Sequence, residues 1–259
     1  MKILPAFTKP WDRTLQRNHR PAPRDGKRGY RGYRPCLRWE FGFSCAFCLG
    51  HEADFVVHGT EGAGVTQIEH FQPISHAPEG RNDYGNCFYI CRFCNIARGN
   101  KPVKTEAGVR LLNPCVEIWS EHFVIAQDRL QPQKSEDANY THTIYDLDDP
   151  RKVTMRRHRR NTIEECLKIV EKGPDLRDRL LERAVKADRP QLVEEARLVD
   201  RAIRLAWRDL IQFSAVPTDA DVNCACEDGL VRCRLPDVLE NQLVEVQPPD
   251  TVEELERRE

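Results

Sequence analysis

The first half of the chain alternates short apolar segments with polar turns. Trp39, Phe41 and Phe43 stand at alternate positions, which predicts a short strand because successive strand side chains face opposite sides. The segment VTQIEHF at residues 65–71 predicts another strand, after the turn-forming EGAG at residues 61–64. These segments indicate a small β-structured region with tight connections.

A polar loop at residues 75–86 separates this region from a helix. The helix is expected to begin near Cys91 and to end by Gly99, since glycine is common after the last turn of a helix. Two later segments, VEIWSEHFVIA at residues 116–126 and THTIYDL at residues 141–147, predict strands of a second β section.

From about residue 151 the pattern becomes helical. Apolar residues recur at three- and four-residue spacing and form one stripe, which predicts the packing face of a long helix. The stripe comprises Leu192, Ala196, Val199, Ile203, Ala206 and Leu210. Pro174 and Pro190 are expected to separate the helical pieces.

The two ends of the chain differ from the rest in composition and charge. Residues 1–38 are rich in Pro, Gly and Arg and have no helical or alternating period, which predicts an extended arm. Residues 1–40 contain 11 Lys/Arg and 3 Asp/Glu, a net charge of +8. Residues 214–259 contain 4 Lys/Arg and 12 Asp/Glu, a net charge of −8. The basic arm favours polyanion binding, whereas the acidic tail is typical of a solvated terminus.

The overall composition is that of a globular protein. The chain has 259 residues, 40% of them hydrophobic, enough for one large domain or two small ones. No apolar segment approaches the roughly 20 residues that span a bilayer, and the first residues do not form a signal peptide. We therefore expect a cytoplasmic protein with no membrane partner, in a reducing compartment where disulfides are rare.

Eleven cysteines is a high number for such a compartment, and four of them form two Cys-x-x-Cys turns. Cys45, Cys48, Cys91 and Cys94 match the four thiolate ligands of a structural zinc ion. The 42 residues between the turns exceed the usual zinc-ribbon gap of about 15–20, so functional residues are expected between them. A redox pair and plain buried cysteines are the alternatives, but a redox motif needs only one Cys-x-x-Cys.

Polar residues suited to phosphodiester hydrolysis lie between and after the cysteine turns. The reaction needs a base that deprotonates water and positive charge at the phosphate. His70 is a suitable base, and Glu69 with the amide oxygen of Asn95 could bind a hard cation, Mg²⁺ or Mn²⁺. Neighbours on a strand face opposite sides, so Glu69 and His70 reach one site only if the chain leaves the strand there.

The motif IEHFQP…GNC…CRFCN, within residues 68–95, resembles the ββα-metal core of HNH endonucleases that have zinc knuckles. The resemblance covers about residues 41–100. It implies His70 as the general base, Glu69 and Asn95 as ligands of the catalytic cation, and Asn86 as the residue that pins the loop carrying His70. Many members have Asp at the position of Glu69 and His at that of Asn95; an asparagine favours a hard cation.

A second resemblance lies beyond the motif. RLLNPC at residues 110–115, EHF at residues 121–123 and a basic helix resemble the HNH proteins of bacterial anti-phage systems of the Septu and retron-linked kind. This resemblance implies an ATPase partner protein and a role in anti-phage defence.

The patterns and resemblances together predict an α+β protein. Its ββα-metal HNH core, stapled by a zinc site of four cysteines, is followed by a small β section and a C-terminal helical region. The expected parts are a basic arm at 1–38, the nuclease core at 39–102, the β section and helical region at 103–213, and the acidic tail at 214–259.

The expected function is metal-dependent hydrolysis of phosphodiester bonds in DNA. Little sequence preference is expected, since no segment resembles a base-reading recognition helix, and RNA stays an alternative substrate. The competing hypothesis is a non-catalytic zinc module that binds nucleic acid or a partner protein. That hypothesis gives Glu69, His70 and Asn95 no reason to occur together.

Other residues have suitable chemistry but no supporting pattern. His51, His58 and His76 are expected to be solvated loop residues. A second metal ion would need a fourth ligand beside Cys224, Cys226 and Cys233. A basic run at a helix start is a candidate for contacts with the nucleic-acid backbone, and it comprises Lys152, Arg156, Arg157, Arg159 and Arg160.

Overall fold

The structure is a computed structural model that describes residues 14, 15, 17, 29–52, 54, 66–187 and 189–214. This part of the chain divides into two compact units, one ending at His158 and the other spanning Arg159–Ser214. Among the described residues, no helix combines the length and the apolar character needed to cross a membrane. The predicted α+β class, with helices in the C-terminal region, is confirmed.

Residues 29–38 are helical where an extended arm was expected at 1–38; most of residues 1–28 lie outside the described part of the chain. A 3₁₀ helix at Gly29–Tyr33 leads into helix α1 at Arg34–Glu40. Tyr33 and Leu37 are buried in the core, so packing selects a helix that the local sequence does not indicate. The guanidinium of Arg34 donates to the backbone oxygen of Thr66 at 2.6 Å and ties this segment to the first strand.

The expected strand at Trp39, Phe41 and Phe43 is also wrong. The chain leaves α1 through a turn in which Gly42 and Phe43 have φ angles of 56° and 57°. Phe41 and Phe43 are both buried because the turn, not a strand, directs them inward. Three alternating positions are too few to specify a strand.

A strand–strand–helix unit contains the motif residues. Strand β1, Thr66–His70, pairs antiparallel with strand β2, Cys87–Cys91, and helix α2 follows at once over Arg92–Arg98. The register places Thr66 opposite Cys91 and His70 opposite Cys87. The predicted strand at residues 65–71 and the predicted helix after Cys91 are confirmed.

The second β section is smaller than expected. Helix α3 occupies Trp119–His122, and a hairpin follows, formed by strands β3, Phe123–Ala126, and β4, Arg129–Pro132. The segment at residues 116–126 is therefore a strand only in its last four residues. The segment at residues 141–147 is not a strand, because most of it belongs to helix α4, Glu136–Ile144.

Stacked aromatic rings form the centre of the first unit. Phe47, within the first cysteine turn, stacks on Tyr145 with ring centroids 3.8 Å apart. It also contacts Phe88 of β2 and Trp119 of α3. Phe71, directly after β1, also stacks on Phe88, with ring centroids 5.4 Å apart. The core therefore joins the cysteine turn, the sheet and the segment around Tyr145.

The second unit is a helical hairpin. Helix α5, Pro150–Lys186, continues from the first unit, and helix α6 occupies Gln191–Ser214. The apolar stripe predicted for α6 is confirmed at its fully buried positions, Ala196, Ile203, Ala206 and Leu210. Pro190 separates the two helices as expected, whereas Pro174 lies inside α5. Next to Pro174, Gly173 lies so close to Ile203 that a Cβ would meet its side chain at 2.6 Å.

Candidate metal and catalytic site

The four cysteines of the two turns converge in the core. The sulfur atoms of Cys45, Cys48, Cys91 and Cys94 all lie within 4.8 Å of one another, and all four residues are buried. Cys48 Sγ and Cys91 Sγ are 3.7 Å apart, too far for a disulfide bond. Tetrahedral Zn–S bonds of about 2.3 Å would place two sulfurs about 3.8 Å apart. The cluster therefore could hold a structural metal ion.

Basic groups surround this cluster. The Nζ atom of Lys152 is buried and donates to the backbone oxygens of Tyr145 and Asp146 at 2.6 and 2.8 Å. Burial opposes the charge of Lys152, but the neighbouring cysteine sulfurs raise its pKa above the usual range. The buried guanidinium of Arg156 donates to the backbone oxygen of Cys48 at 3.2 Å. Lys152 and Arg156 are thus internal supports, and Arg159 of the same basic run is also fully buried.

Cys91 has a second local role besides its place in the cluster. It is the last residue of β2 and the N-cap of α2, and its Sγ accepts a hydrogen bond from the backbone nitrogen of Cys94 at 3.4 Å. The cluster therefore fixes the point where the strand turns into the helix, one helical turn before Asn95.

His70 lies at the end of β1 in a protected position. Its Nε2 is 2.8 Å from the backbone oxygen of Arg81. A carbonyl only accepts, so Nε2 holds the proton and leaves Nδ1 with a lone pair. The Tyr30 ring stands edge-on to the imidazole, with centroids 4.5 Å apart. Burial lowers the pKa of His70, which favours the neutral form that a general base requires.

Asn86 connects both ends of the loop that follows His70. Its Oδ1 accepts from the backbone nitrogen of Gln72 at 2.7 Å, and its Nδ2 donates to the backbone oxygens of Gln72 and Gly80 at 3.1 and 3.2 Å. A Cβ at Gly80 would lie 3.1 Å from that Nδ2, so a glycine permits the close approach. The side chain thereby ties the loop to the start of β2.

Two side-chain contacts join β1 to α2 next to Glu69 and Asn95. Asn95 Nδ2 donates to Oε1 of Gln67, two residues before Glu69 on the same strand face. Arg98, three residues after Asn95 on the same helix face, has its Nε 3.8 Å from Glu69 Oε1. The contact to Gln67 uses the amide nitrogen of Asn95 and leaves its Oδ1 for another partner.

The environment of Glu69 differs from that of a solvated carboxylate. Burial raises its pKa to about 7, and the Arg98 guanidinium opposes that rise. β1 extends through His70, so the departure from the strand that would bring both side chains to one face does not occur between Glu69 and His70; the chain leaves the strand after His70. Glu69 therefore contacts Arg98, while His70 contacts Tyr30 and Arg81, as alternation along a strand requires.

The remaining candidate histidines and cysteines do not join this site in the part of the chain that the structure describes. His51 is buried, against expectation, and its backbone nitrogen bonds to Asp54. His76 is exposed, as expected. His58, Cys224, Cys226 and Cys233 lie outside the described residues.

Sequence reasoning missed Tyr30, Arg98 and Tyr145, which contact or surround the motif residues. Their contacts join positions far apart in the chain, and no motif contains the three together. For Arg98, a usable signal was its position one helical turn after Asn95, which places both on one face of the expected helix.

No curated protein and no solved structure has a significant match to the chain. A protein-family comparison does find a match, and the matched segment includes β1, β2, α2, Glu69, His70, Asn86 and Asn95. The matched family, over residues 50–101, is the HNH endonuclease family.

Proposed function

We propose that this protein is a metal-dependent endonuclease that hydrolyses phosphodiester bonds in DNA with little sequence preference. One observation supports this most strongly: Asn95 bonds to Gln67 and Arg98 lies 3.8 Å from Glu69, so the helix face that carries Asn95 packs on the strand face that carries Glu69. The strand ends at His70, which is buried and has a lowered pKa. The family match at residues 50–101 supports nuclease chemistry independently.

In this proposal, His70 Nδ1 accepts the proton of the attacking water. The bond from His70 Nε2 to the Arg81 carbonyl fixes the ring and its tautomer. Glu69 and the Asn95 Oδ1 are hard oxygen donors, which suits Mg²⁺ or Mn²⁺. A divalent cation bound there supplies positive charge to the scissile phosphate and to the leaving oxygen. Asn86 holds the loop after His70 in place.

The four-cysteine cluster is proposed to bind structural zinc and to take no part in the reaction. Four thiolates complete a tetrahedral shell and leave no open position for water or substrate, unlike catalytic zinc sites. Its proposed role is to fix the start of α2, and with it Asn95.

The experiment is to incubate supercoiled plasmid with the protein and Mg²⁺ or Mn²⁺, with EDTA and a His70→Ala variant as controls. Nicked and linear products that require both the cation and His70 are expected. A mobility shift of DNA without cleavage under any cation would instead support the non-catalytic zinc module. Labelled single- and double-stranded DNA and RNA in the same assay identify the substrate.

A cytoplasmic role in anti-phage defence beside an ATPase partner is a further part of the proposal. It rests only on the resemblance of residues 110–123 and of the basic helix after them. Plaque counts on cells that express the parent or the His70→Ala protein, with and without a neighbouring ATPase gene, test this role. Equal counts for both proteins would contradict it.

A further inference from the structure

Arg98 contacts the chain on both sides of His70. It is fully buried at the end of α2, and its Nη2 donates to the backbone oxygen of Phe71 at 3.2 Å. Its Nε lies 3.8 Å from Glu69 Oε1. The residues immediately before and after His70 are therefore both held by one guanidinium.

Tyr145 forms part of the surroundings of this guanidinium, from outside the segment that matches the HNH family. Its ring is fully buried against Phe47, and burial together with the nearby Glu69 carboxylate raises the pKa of its hydroxyl. The Arg98 guanidinium has the opposite effect and lowers the pKa of that hydroxyl.

The buried positive charge of Arg98 gives its contact with Glu69 energetic importance. Arg98 Nε and Nη1 are buried without a hydrogen bond of normal geometry among the described residues, although the Tyr145 hydroxyl lies within reach of the guanidinium. A buried guanidinium with so few hydrogen bonds depends on a nearby negative charge, since an uncompensated buried charge is strongly unfavourable. Glu69 is the carboxylate that the structure places beside it.

We propose that Arg98 is a positioning residue that sets the direction of the Glu69 carboxylate and the backbone that carries His70. The proposal deepens the proposed function and rests on it for the role of Glu69. Residues that orient a metal ligand typically contribute roughly 10–100-fold to metal affinity or activity. A purely structural ion pair would instead contribute to stability alone.

The test compares Arg98→Met and Arg98→Lys with Arg177→Met, in the full-length, zinc-loaded protein. Arg177 is a matched control, a buried arginine that pairs with Asp200 in the helical hairpin. Thermal unfolding and zinc content report on folding. Mn²⁺ titration of the DNA-free protein, and kcat and KM for plasmid at several Mn²⁺ concentrations, report on the site.

We expect Arg98→Met to weaken Mn²⁺ binding and to lower kcat, each by roughly 10–100-fold, with a small change in KM. Arg98→Lys should recover part of both, because it keeps the charge but loses the fork of donors. Arg177→Met should lower the unfolding temperature and leave Mn²⁺ affinity and kcat at the parent values. Where Arg98→Met does not fold, Arg98→Lys and Arg98→Gln are compared in its place.

Parent-like Mn²⁺ affinity and kcat in a folded Arg98 variant would overturn the positioning role while leaving the nuclease proposal intact. The same conclusion would follow if Arg177→Met changed both quantities as much. If the parent protein cleaves no nucleic acid, the proposed function fails, and Mn²⁺ affinity still decides whether Arg98 orients Glu69.

Discussion

At the scale of single residues, His70 and His76 provide a comparison within one loop region. His70 is buried, and its Nε2 is held by Arg81, whereas His76 is exposed. Only a fixed, neutral imidazole can act as a base with a defined lone pair.

We expect His70→Ala to lower kcat by about 10²–10⁴-fold, the contribution of a general base. Zinc content and DNA binding should not change, since neither depends on the imidazole. Single-turnover cleavage of labelled DNA measures the effect, with His76→Ala as the matched control. Cleavage by His70→Ala at the parent rate would assign the base to another group.

Asn95→Ala should raise the Mg²⁺ concentration for half-maximal cleavage by roughly 10–100-fold, because a hard oxygen donor is removed from the proposed cation site. Cleavage at saturating cation should partly recover. Asn100→Ala, at an exposed position just after α2, is the control and should behave as the parent. An unchanged Mg²⁺ requirement in Asn95→Ala would exclude Asn95 as a ligand.

Sequence reasoning found the site residues that share one motif and missed those that only packing brings together. Glu69, His70, Asn86 and Asn95 lie in one short motif whose order and spacing are visible in the chain. Tyr30 reaches His70 through a fold-dependent ring contact across 40 positions. Such contacts follow from packing, which a single sequence does not display.

At the scale of elements, Cys91 joins β2, α2 and the cysteine cluster. Two paired strands of five residues are marginal alone, so the cluster is expected to supply much of the stability of this unit. Structural zinc contributes apparent binding free energies of about 10–16 kcal/mol, comparable to the whole stability of a domain.

Cys91→Ser should therefore give protein that lacks zinc and is unfolded or insoluble. A serine keeps a side-chain oxygen for the N-cap of α2, so the substitution isolates the loss of the metal ligand. Elemental analysis and circular dichroism measure the outcome. Cys166→Ser, at a buried cysteine of α5 outside the cluster, should retain zinc. Soluble, active Cys91→Ser protein without zinc would refute the structural role.

Elements were predictable where local signals and packing agree. For β1 and α2, the apolar pattern and Gly99 indicated the correct structure. Helix α4 was missed although Ser135 precedes Glu136 and Asp137, a helix-start signal, and Ser135 Oγ accepts from Ala138. For α1, the local sequence is as compatible with an extended chain as with a helix, and burial of Tyr33 and Leu37 decides the structure.

At the scale of the whole molecule, we propose that the basic N-terminal segment contributes affinity for nucleic acid. Its described part is not a free arm: Arg17 is bound to Glu40 at 2.9 Å and Tyr33 is buried. A deletion of residues 1–34 would remove these contacts and confuse folding with binding. The cations Arg20, Arg24, Lys27 and Arg28 lie outside the described residues and can be changed separately.

Replacing these four cations by Ala should flatten the slope of log K against log salt for DNA by about 3–4 units, if each neutralises one phosphate. Turnover of bound substrate should stay constant. The matched control replaces four exposed cations of α5, Lys172, Arg179, Arg183 and Lys186. Equal slopes for the parent and the N-terminal variant would leave this segment without a role in binding DNA. Tighter binding after removal of residues 236–259 would indicate masking by the acidic tail.

The burial of the cysteine cluster affects how fast a chelator can remove a bound metal ion. Its four sulfur-bearing residues are at most 1% exposed, so a chelator can reach a bound zinc only when the unit opens. The proposed Mg²⁺ site has only two protein ligands, so its cation keeps several waters and should exchange faster than zinc held by four thiolates. EDTA should therefore inactivate the enzyme in two phases, a rapid one that added Mg²⁺ reverses and a slow one that it does not. Stopped-flow and hour-long time courses distinguish them; a single phase, fully reversed by Mg²⁺ after prolonged chelation, would mean that activity does not depend on the buried metal.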